Sequence, residues 1–474
     1  MELVRKIDSF LEKFFEEEKH QALLITGARQ IGKTYSIRKF CKKHFKNVIE
    51  INFIEQPEMA SLFSDTADDK DIILRLSAST NVPMEKGETV FFFDEVQACP
   101  EIVTAIKFLV DEGSYSYILS GSLLGVELKD IRSVPVGYLT TKEMYPLDFE
   151  EFITANGVKK EIITTLENNF NSKTAVDNFI HNKLMELYRL YLIVGGMPAV
   201  VNAYLETNNL QNVIEIQNQI IIQYKKDISK YDPNNKLYIE EIFSLIPPEL
   251  NSKNKRFIFK KLNENLKFAR YENSFIWLKD AGVALPVYNV EEPVYPLKLA
   301  QSRNLFKLFS SDIGLLSSQY TNGFQLKILN NELDINFGGI YENAVSQELK
   351  AHGFDLYYFN SKKQGELDFV IEYEEKVLPI EVKSGKNYER HNALHNVLTN
   401  SDYKINGALV LCNDNIKTEN GITYMPIYMT MFLHALHLQM DLRLPQNLWC
   451  YQQEQMAAME LRELTFCLET GHKV

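Results

Sequence analysis

The sequence predicts an α/β protein whose N-terminal part is a parallel sheet carrying a phosphate-binding turn, and three observations point there. Gly27–Thr34 reads GARQIGKT, set between the apolar run ALLIT and the helical pattern YSIRKFCKKH. Thr89–Phe93 is an apolar run that ends in two carboxylates, Asp94 and Glu95. A second alternation of strand and helix patterns runs from about Phe337 to Tyr428.

The strand candidates of the first part are Ala22–Thr26, Val48–Phe53, Thr89–Phe93 and Tyr115–Leu119. Short continuous apolar runs separated by helical patterns are the rhythm of a parallel sheet covered on both faces. This core is expected over residues 1–157. From 158 to 235 apolar residues recur at helical spacing, broken at Val194-Gly195-Gly196-Met197-Pro198, which suggests a helical lid or linker. Residues 236–330 give helical segments and then a strand-like end, a pattern compatible with a winged helix. Residues 331–440 read as a second α/β unit: helix Tyr341–Ala351, strands Tyr357–Phe359, Glu366–Tyr373 and Val377–Lys383, a helix, and strand Gly407–Leu411. A polar, helix-forming tail follows at 441–474.

With 474 residues, 45% hydrophobic and 24% charged, the chain has the composition of an ordinary globular protein of more than one domain. A formal net charge of −12 argues against adhesion of the whole surface to nucleic acid or anionic membrane, so any site for DNA or RNA has to be local. Basic runs that could form one are Lys225-Lys226, Lys253 to Arg256, Lys260-Lys261, Lys267 with Arg270, and Lys362-Lys363. The five cysteines form no metal-binding pattern and fit a reducing compartment. No signal-peptide core opens the chain and no apolar stretch is long enough to cross a bilayer, so a cytoplasmic protein without membrane contact is expected.

The loop residues Gly27, Ala28, Arg29, Gln30, Ile31, Gly32, Lys33, Thr34 and Tyr35 are the candidate ATP site. Phosphate binding needs backbone N–H groups converging at a helix N-terminus, in a loop whose turns glycine permits. Gly27 turns the chain out of the strand and Gly32 lets the backbone approach. Lys33 reaches the terminal phosphates, and the Thr34 hydroxyl ligates Mg2+. Asp94 is expected in the Mg2+ shell, and Glu95 orients or deprotonates the attacking water. The hydroxyls of Ser120 and Ser122, after the next strand, are candidates to sense the terminal phosphate.

Together with ILSGSLLG, PVGY, MYPLDFEEF, YLIVGGMPAVV, QYKKDISKY, SLIPPELNSKNKRFIF, WLKDAGV and LFKLFSSDIGLL, these motifs resemble a family of bacterial and archaeal AAA-type P-loop ATPases ending in a nuclease-like domain of unknown function. The resemblance covers most of the chain and implies ATP binding and hydrolysis, a helical lid, and a winged-helix-like unit between two α/β domains. Such sites often complete themselves between subunits, which makes a homo-oligomer a candidate assembly. Tyr138 stands where relatives often carry a basic residue, which leaves the arginine finger unassigned, with Arg132 a nearby candidate.

In the C-terminal unit, Glu342 lies on a helix, Asp368 in GELDFVI, and Glu381 and Lys383 in LPIEVKSGK. Residues two apart on a strand share a face, and a hairpin would bring Asp368 beside them. The order resembles the PD-(D/E)XK nucleases of restriction-endonuclease-like fold. That resemblance implies Asp368 and Glu381 as metal ligands, Lys383 as the catalytic lysine and Glu342 as the helix acid. Two functions follow: an ATPase that gates Mg2+-dependent nucleic-acid processing, or a nucleotide-dependent switch whose C-terminal domain is a non-catalytic binding module.

Overall fold

The apolar runs of the N-terminal part become a five-stranded sheet in the computed structural model, which describes residues 2–18, 20–63, 69–122, 137–231, 236–252, 255–257, 271–320, 323–332 and 337–435. The strands are β1 (Ala22–Thr26), β2 (Asn47–Asn52), β3 (Thr89–Asp94), β4 (Ser116–Ser120) and β5 (Leu139–Glu143). Their order is β2-β3-β4-β1-β5, and every pairing is parallel. Alternate side chains feed two cores: Val90 and Phe92 pack on one face, Phe91 and Phe93 on the other. A strand buried on both faces reads as an unbroken apolar run. The four expected strands therefore appear within a residue of their bounds. β5, LTTKE, is a half-exposed edge strand without an apolar run and carries no such signature.

The order puts β4 between β1 and β3. The carboxyl ends of all three open on one edge, so the loop after β1, the acids ending β3 and the serines ending β4 lie side by side.

Beyond this sheet come the helices Asn178–Val194, Pro198–Thr207 and Leu210–Tyr231. The break between the first two is a packing joint. Gly195 has φ +71°, and a Cβ there would lie 2.4 Å from Asp312 Oδ1. A Cβ on Gly196 would lie 2.1 Å from the Leu147 carbonyl oxygen. The Gly196 N–H donates to Asp312 Oδ2 at 2.7 Å, while Leu147 N–H donates to Gly196 O at 2.7 Å. Glycine is required because three segments meet with no room for a side chain.

The strand-like end of the winged-helix-like region expected over 236–330 becomes β6 (Ala284–Val290), which with β7 (Gln301–Ser310) forms a hairpin in the C-terminal sheet. β6 pairs in parallel with β8 (Tyr357–Ser361). With β9 (Gly365–Tyr373), β10 (Lys376–Val382), β11 (Ala408–Cys412), β12 (Lys417–Glu419) and β13 (Ile422–Pro426), they form an eight-stranded mixed sheet ordered β12-β13-β11-β10-β9-β8-β6-β7. A two-stranded hairpin is marginal alone and gains by joining a larger sheet. The helix Gly338–Ala351 packs on this sheet, buried along most of its length. No helix among the described residues is long and apolar enough to cross a membrane. The tail expected at 441–474 lies outside the described residues.

Candidate functional site

The loop after β1 has the backbone its sequence demands. Gly27 and Gly32 take φ +133° and +93°, and a Cβ on Gly27 would lie 2.2 Å from the Met144 carbonyl oxygen. Gln30 is left-handed without being glycine, at φ +65°. Lys33 opens the helix Lys33–His44, and its Nζ donates to Gly27 O at 3.0 Å and Ala28 O at 2.7 Å. Burial pushes the ammonium down to about 8, although Glu95 and Asp94 oppose this. Ile31 is fully buried in the core and presents only backbone to the loop, whereas Tyr35 is exposed.

Asp94 is held by four donors. Thr34 Oγ1 donates to Oδ2 at 3.0 Å and Asn52 Nδ2 at 3.3 Å, while the Glu95 N–H reaches Oδ1 at 3.1 Å. Ser120 Oγ donates to Oδ1 as well. Ser120, expected to sense the nucleotide, is thus turned onto Asp94, because β4 neighbours β3. Ser122 faces Glu95 instead: its Oγ donates to Glu95 Oε2 at 3.4 Å and accepts from Arg29 Nε at 3.2 Å. Glu95 sits at φ +54°, a strained conformation for a non-glycine residue, and Gln97 Nε2 donates to its carboxylate. Asn52 escaped the sequence reading, although its place at the end of a strand beside β3 was a usable signal.

A cavity of ≈ 430 Å³ covers this edge. Arg29, Gln30, Gly32, Lys33, Thr34 and Glu95 line it from the loop side, and Leu3, Arg5, Pro198, Ala199 and Asn202 from the first residues and the lid. A larger one, ≈ 550 Å³, touches Gly27 and Ala28 but none of Lys33, Thr34, Asp94 or Glu95. Arg5 braces the loop, with Nη1 donating to Ile31 O at 3.0 Å and Nη2 to Tyr145 O at 2.7 Å. Nothing local to Arg5 announces this, since its partners lie 26 and 140 residues away. Arg132 lies outside the described residues.

The four C-terminal residues come together mid-sheet, joined by two lysines that the pattern did not place there. Lys383 Nζ lies 3.0 Å from Glu381 Oε2, and Asp368 Oδ2 accepts from the Val382 N–H at 2.9 Å. Fully buried Lys307, on β7, lies 2.9 Å from Glu366, 3.5 Å from Glu342 and 4.0 Å from Asp368. Lys255 pairs with Glu342. Burial raises the Asp368 carboxyl, but Lys307, Lys255 and Lys383 outweigh it and hold the group down at about 2. Burial, with the adjacent Asp368 carboxylate, pushes Glu381 well up. The two acids are thus pushed in opposite directions, and the ammonium groups of Lys255, Lys307 and Lys383 lie among them. Of the basic runs, Lys253-Asn254, Lys260-Lys261, Lys267 and Arg270 lie outside the described residues.

A buried polar joint links the two halves. Lys6, next to Arg5, lies 2.7 Å from Asp148, and Asp148 lies 3.3 Å from His352 Nε2 on the helix of the C-terminal sheet. Glu348, on that helix, accepts from the Phe149 N–H at 3.1 Å. Ligand atoms of Asp148, Glu348 and His352 lie within 4.8 Å of one another. The acids already serve as helix cap, ion-pair partner and backbone acceptor, so the group is a joint between elements.

Comparison with known proteins bears on each part. Residues 19–153 match the AAA domain family, 185–326 a domain of unknown function (DUF8612) and 337–430 another (DUF4143). The chain is similar to two proteins of Methanocaldococcus jannaschii, both described as uncharacterized. It is 24% identical to MJ1544, covering 75% of this chain and 73% of the relative, and 22% identical to MJ1637, covering 88% and 85%. Among solved structures, the Walker-type ATPase PABY2304 of Pyrococcus abyssi aligns with TM-score 0.40 at 13% identity, covering 67% of this chain and 96% of that one. ORC1 of Aeropyrum pernix in complex with DNA aligns with TM-score 0.28 at 12% identity, covering 70% and 93%. The fold and the family match define an AAA-type P-loop ATPase domain, a class that binds nucleotide.

Proposed function

We propose that the chain binds ATP with Mg2+, hydrolyses it, and works as a nucleotide-dependent switch. The observation that carries this reading is the convergence of Lys33, Thr34, Asp94, Glu95 and Ser122 at the carboxyl edge of one parallel sheet. Thr34 Oγ1 and Asp94 Oδ2 are hard oxygen donors 3.0 Å apart, a set that suits Mg2+. That ion, when bound, neutralises phosphate charge. Glu95 takes the proton of the attacking water as its oxygen bonds to the terminal phosphorus; the bond to the bridging oxygen breaks, and ADP leaves with that electron pair. The way out of the site runs from the loop through Arg5 and Lys6 to Asp148 and His352, a contiguous path by which loop rearrangement reaches the second sheet.

The buried lysine supplies one test. Among the described residues Lys33 has no carboxylate within ion-pair distance, and the phosphates would provide its anion. Its pKa near 8 in the free chain rises when nucleotide binds. ATP affinity is therefore expected to be constant below pH 8 and to fall roughly tenfold per pH unit above it. Affinity that rises through this range contradicts the assignment.

For the C-terminal sheet, neutralisation of its acids by Lys255 and Lys307 favours a binding module. Replacing the paired cations by hydrated Mg2+ would expose Lys307 as an unpaired buried charge, at several kcal/mol. The second reading, Mg2+-dependent cleavage of DNA or RNA, is favoured by the convergence of Glu342, Asp368, Glu381 and Lys383. Incubating the full chain with varied DNA and RNA, Mg2+, and with or without ATP separates the two. The switch predicts cleavage no faster than buffer. A nuclease gives cleavage that Asp368→Asn or Glu381→Gln lowers by about a hundredfold while ATP turnover stays intact.

A further inference from the structure

We infer that Arg29 is the arginine that meets the terminal phosphate, supplied by the chain's own loop, and that Asp227 on the lid is the latch that holds it beforehand. The inference rests on the nucleotide reading above and adds to it. Phosphoryl transfer spreads negative charge over the outer oxygens, and ATPases bring a guanidinium to it from the same chain or a neighbour.

Arg29 is already beside the reacting edge. Its Nε donates to Ser122 Oγ at 3.2 Å, and that hydroxyl is 3.4 Å from Glu95 Oε2. One hydrogen-bonded hydroxyl therefore separates the guanidinium from the carboxylate that takes the water's proton. Arg29, Lys33, Thr34 and Glu95 line the same cavity. At its outer end Nη1 pairs with Asp227 Oδ1 on the helix Leu210–Tyr231. That helix grips the loop at two more points: the Tyr224 hydroxyl donates to Arg29 O at 3.1 Å, and Gln30 is hydrogen-bonded to Gln223. Gln223 and Asp227 are one helical turn apart, so they face the loop together.

The pair is poised for exchange. Both partners are partly exposed, and such ion pairs are weak. A phosphate carries more charge than a carboxylate and takes a guanidinium by two parallel hydrogen bonds. Arrival of the terminal phosphate draws Arg29 from Asp227 and releases one of the lid's grips on the loop.

The test measures fluorescent-ATP binding and phosphate release on the full chain. Arg29→Ala is expected to lower turnover about a thousandfold with affinity changed less than about tenfold. Arg29→Lys, which keeps the charge and guards against misfolding, loses nearly as much because an ammonium lacks the fork. Asp227→Asn, freed of the competing carboxylate, binds ATP at least about threefold tighter. Mixing Lys33→Ala with Arg29→Ala chains leaves turnover at the sum of the two. Wild-type turnover in Arg29→Lys, or loss of binding together with turnover, overturns the assignment. Weaker binding by Asp227→Asn overturns the latch, and restored turnover on mixing overturns action within one chain. A wild-type chain that binds no ATP removes the nucleotide reading itself and this inference with it.

Discussion

Lys33→Ala is expected to remove ATP binding at micromolar nucleotide, and turnover with it, while the chain stays folded. The Nζ makes its hydrogen bonds to two carbonyls of its own loop, so the deletion takes nothing from a hydrophobic core. Alanine is also the best helix former, and position 33 opens a helix. The loss falls on the phosphates. A buried charge-assisted hydrogen bond contributes about 2–3 kcal/mol, which is roughly a hundredfold in Kd. Titration with a fluorescent ATP analogue reads the affinity, and circular dichroism reads the fold. Undiminished binding by the folded variant assigns the phosphates to another site.

Glu95→Gln separates binding from chemistry. The amide has nearly the carboxylate's shape, and Oε1 can still accept from Gln97 and Ser122, so the strained backbone at φ +54° keeps its supports. Asp94 keeps all four donors, which leaves the proposed Mg2+ ligand unchanged. What disappears is the proton acceptor, a contribution of about 10²–10⁴ in rate. Expected is ATP affinity within a few fold of wild type and phosphate release slower by about a hundredfold or more. Binding lost together with turnover shows that Glu95 builds the site instead of acting on the water.

The division between what the sequence discloses and what it hides follows the range of the interactions. β1 to β4 were legible because a strand covered on both faces is apolar throughout, and the loop because helix N-terminus, glycines and lysine are contiguous. The acids of the C-terminal sheet were legible as a constellation because β9 and β10 form a local hairpin. Lys307 was not: a lysine in LFKLFS reads as an exposed edge position, and its burial depends on acids at 342, 366 and 368. The same holds for Asp227, 198 residues from Arg29. Gly195-Gly196 was legible as a break, but its role as a joint needs Asp312 and Leu147, which the fold alone supplies. The place of β6 in the C-terminal sheet was hidden likewise, because its parallel partner, β8, lies across a long intervening segment.

ATP hydrolysis at the loop after β1 is tested most directly by phosphate release from the purified full chain. Saturable release is expected with Mg2+ and ATP, stopping when the metal is chelated and absent in Lys33→Ala. Release by the folded wild type no faster than buffer, or equal release by Lys33→Ala, contradicts it.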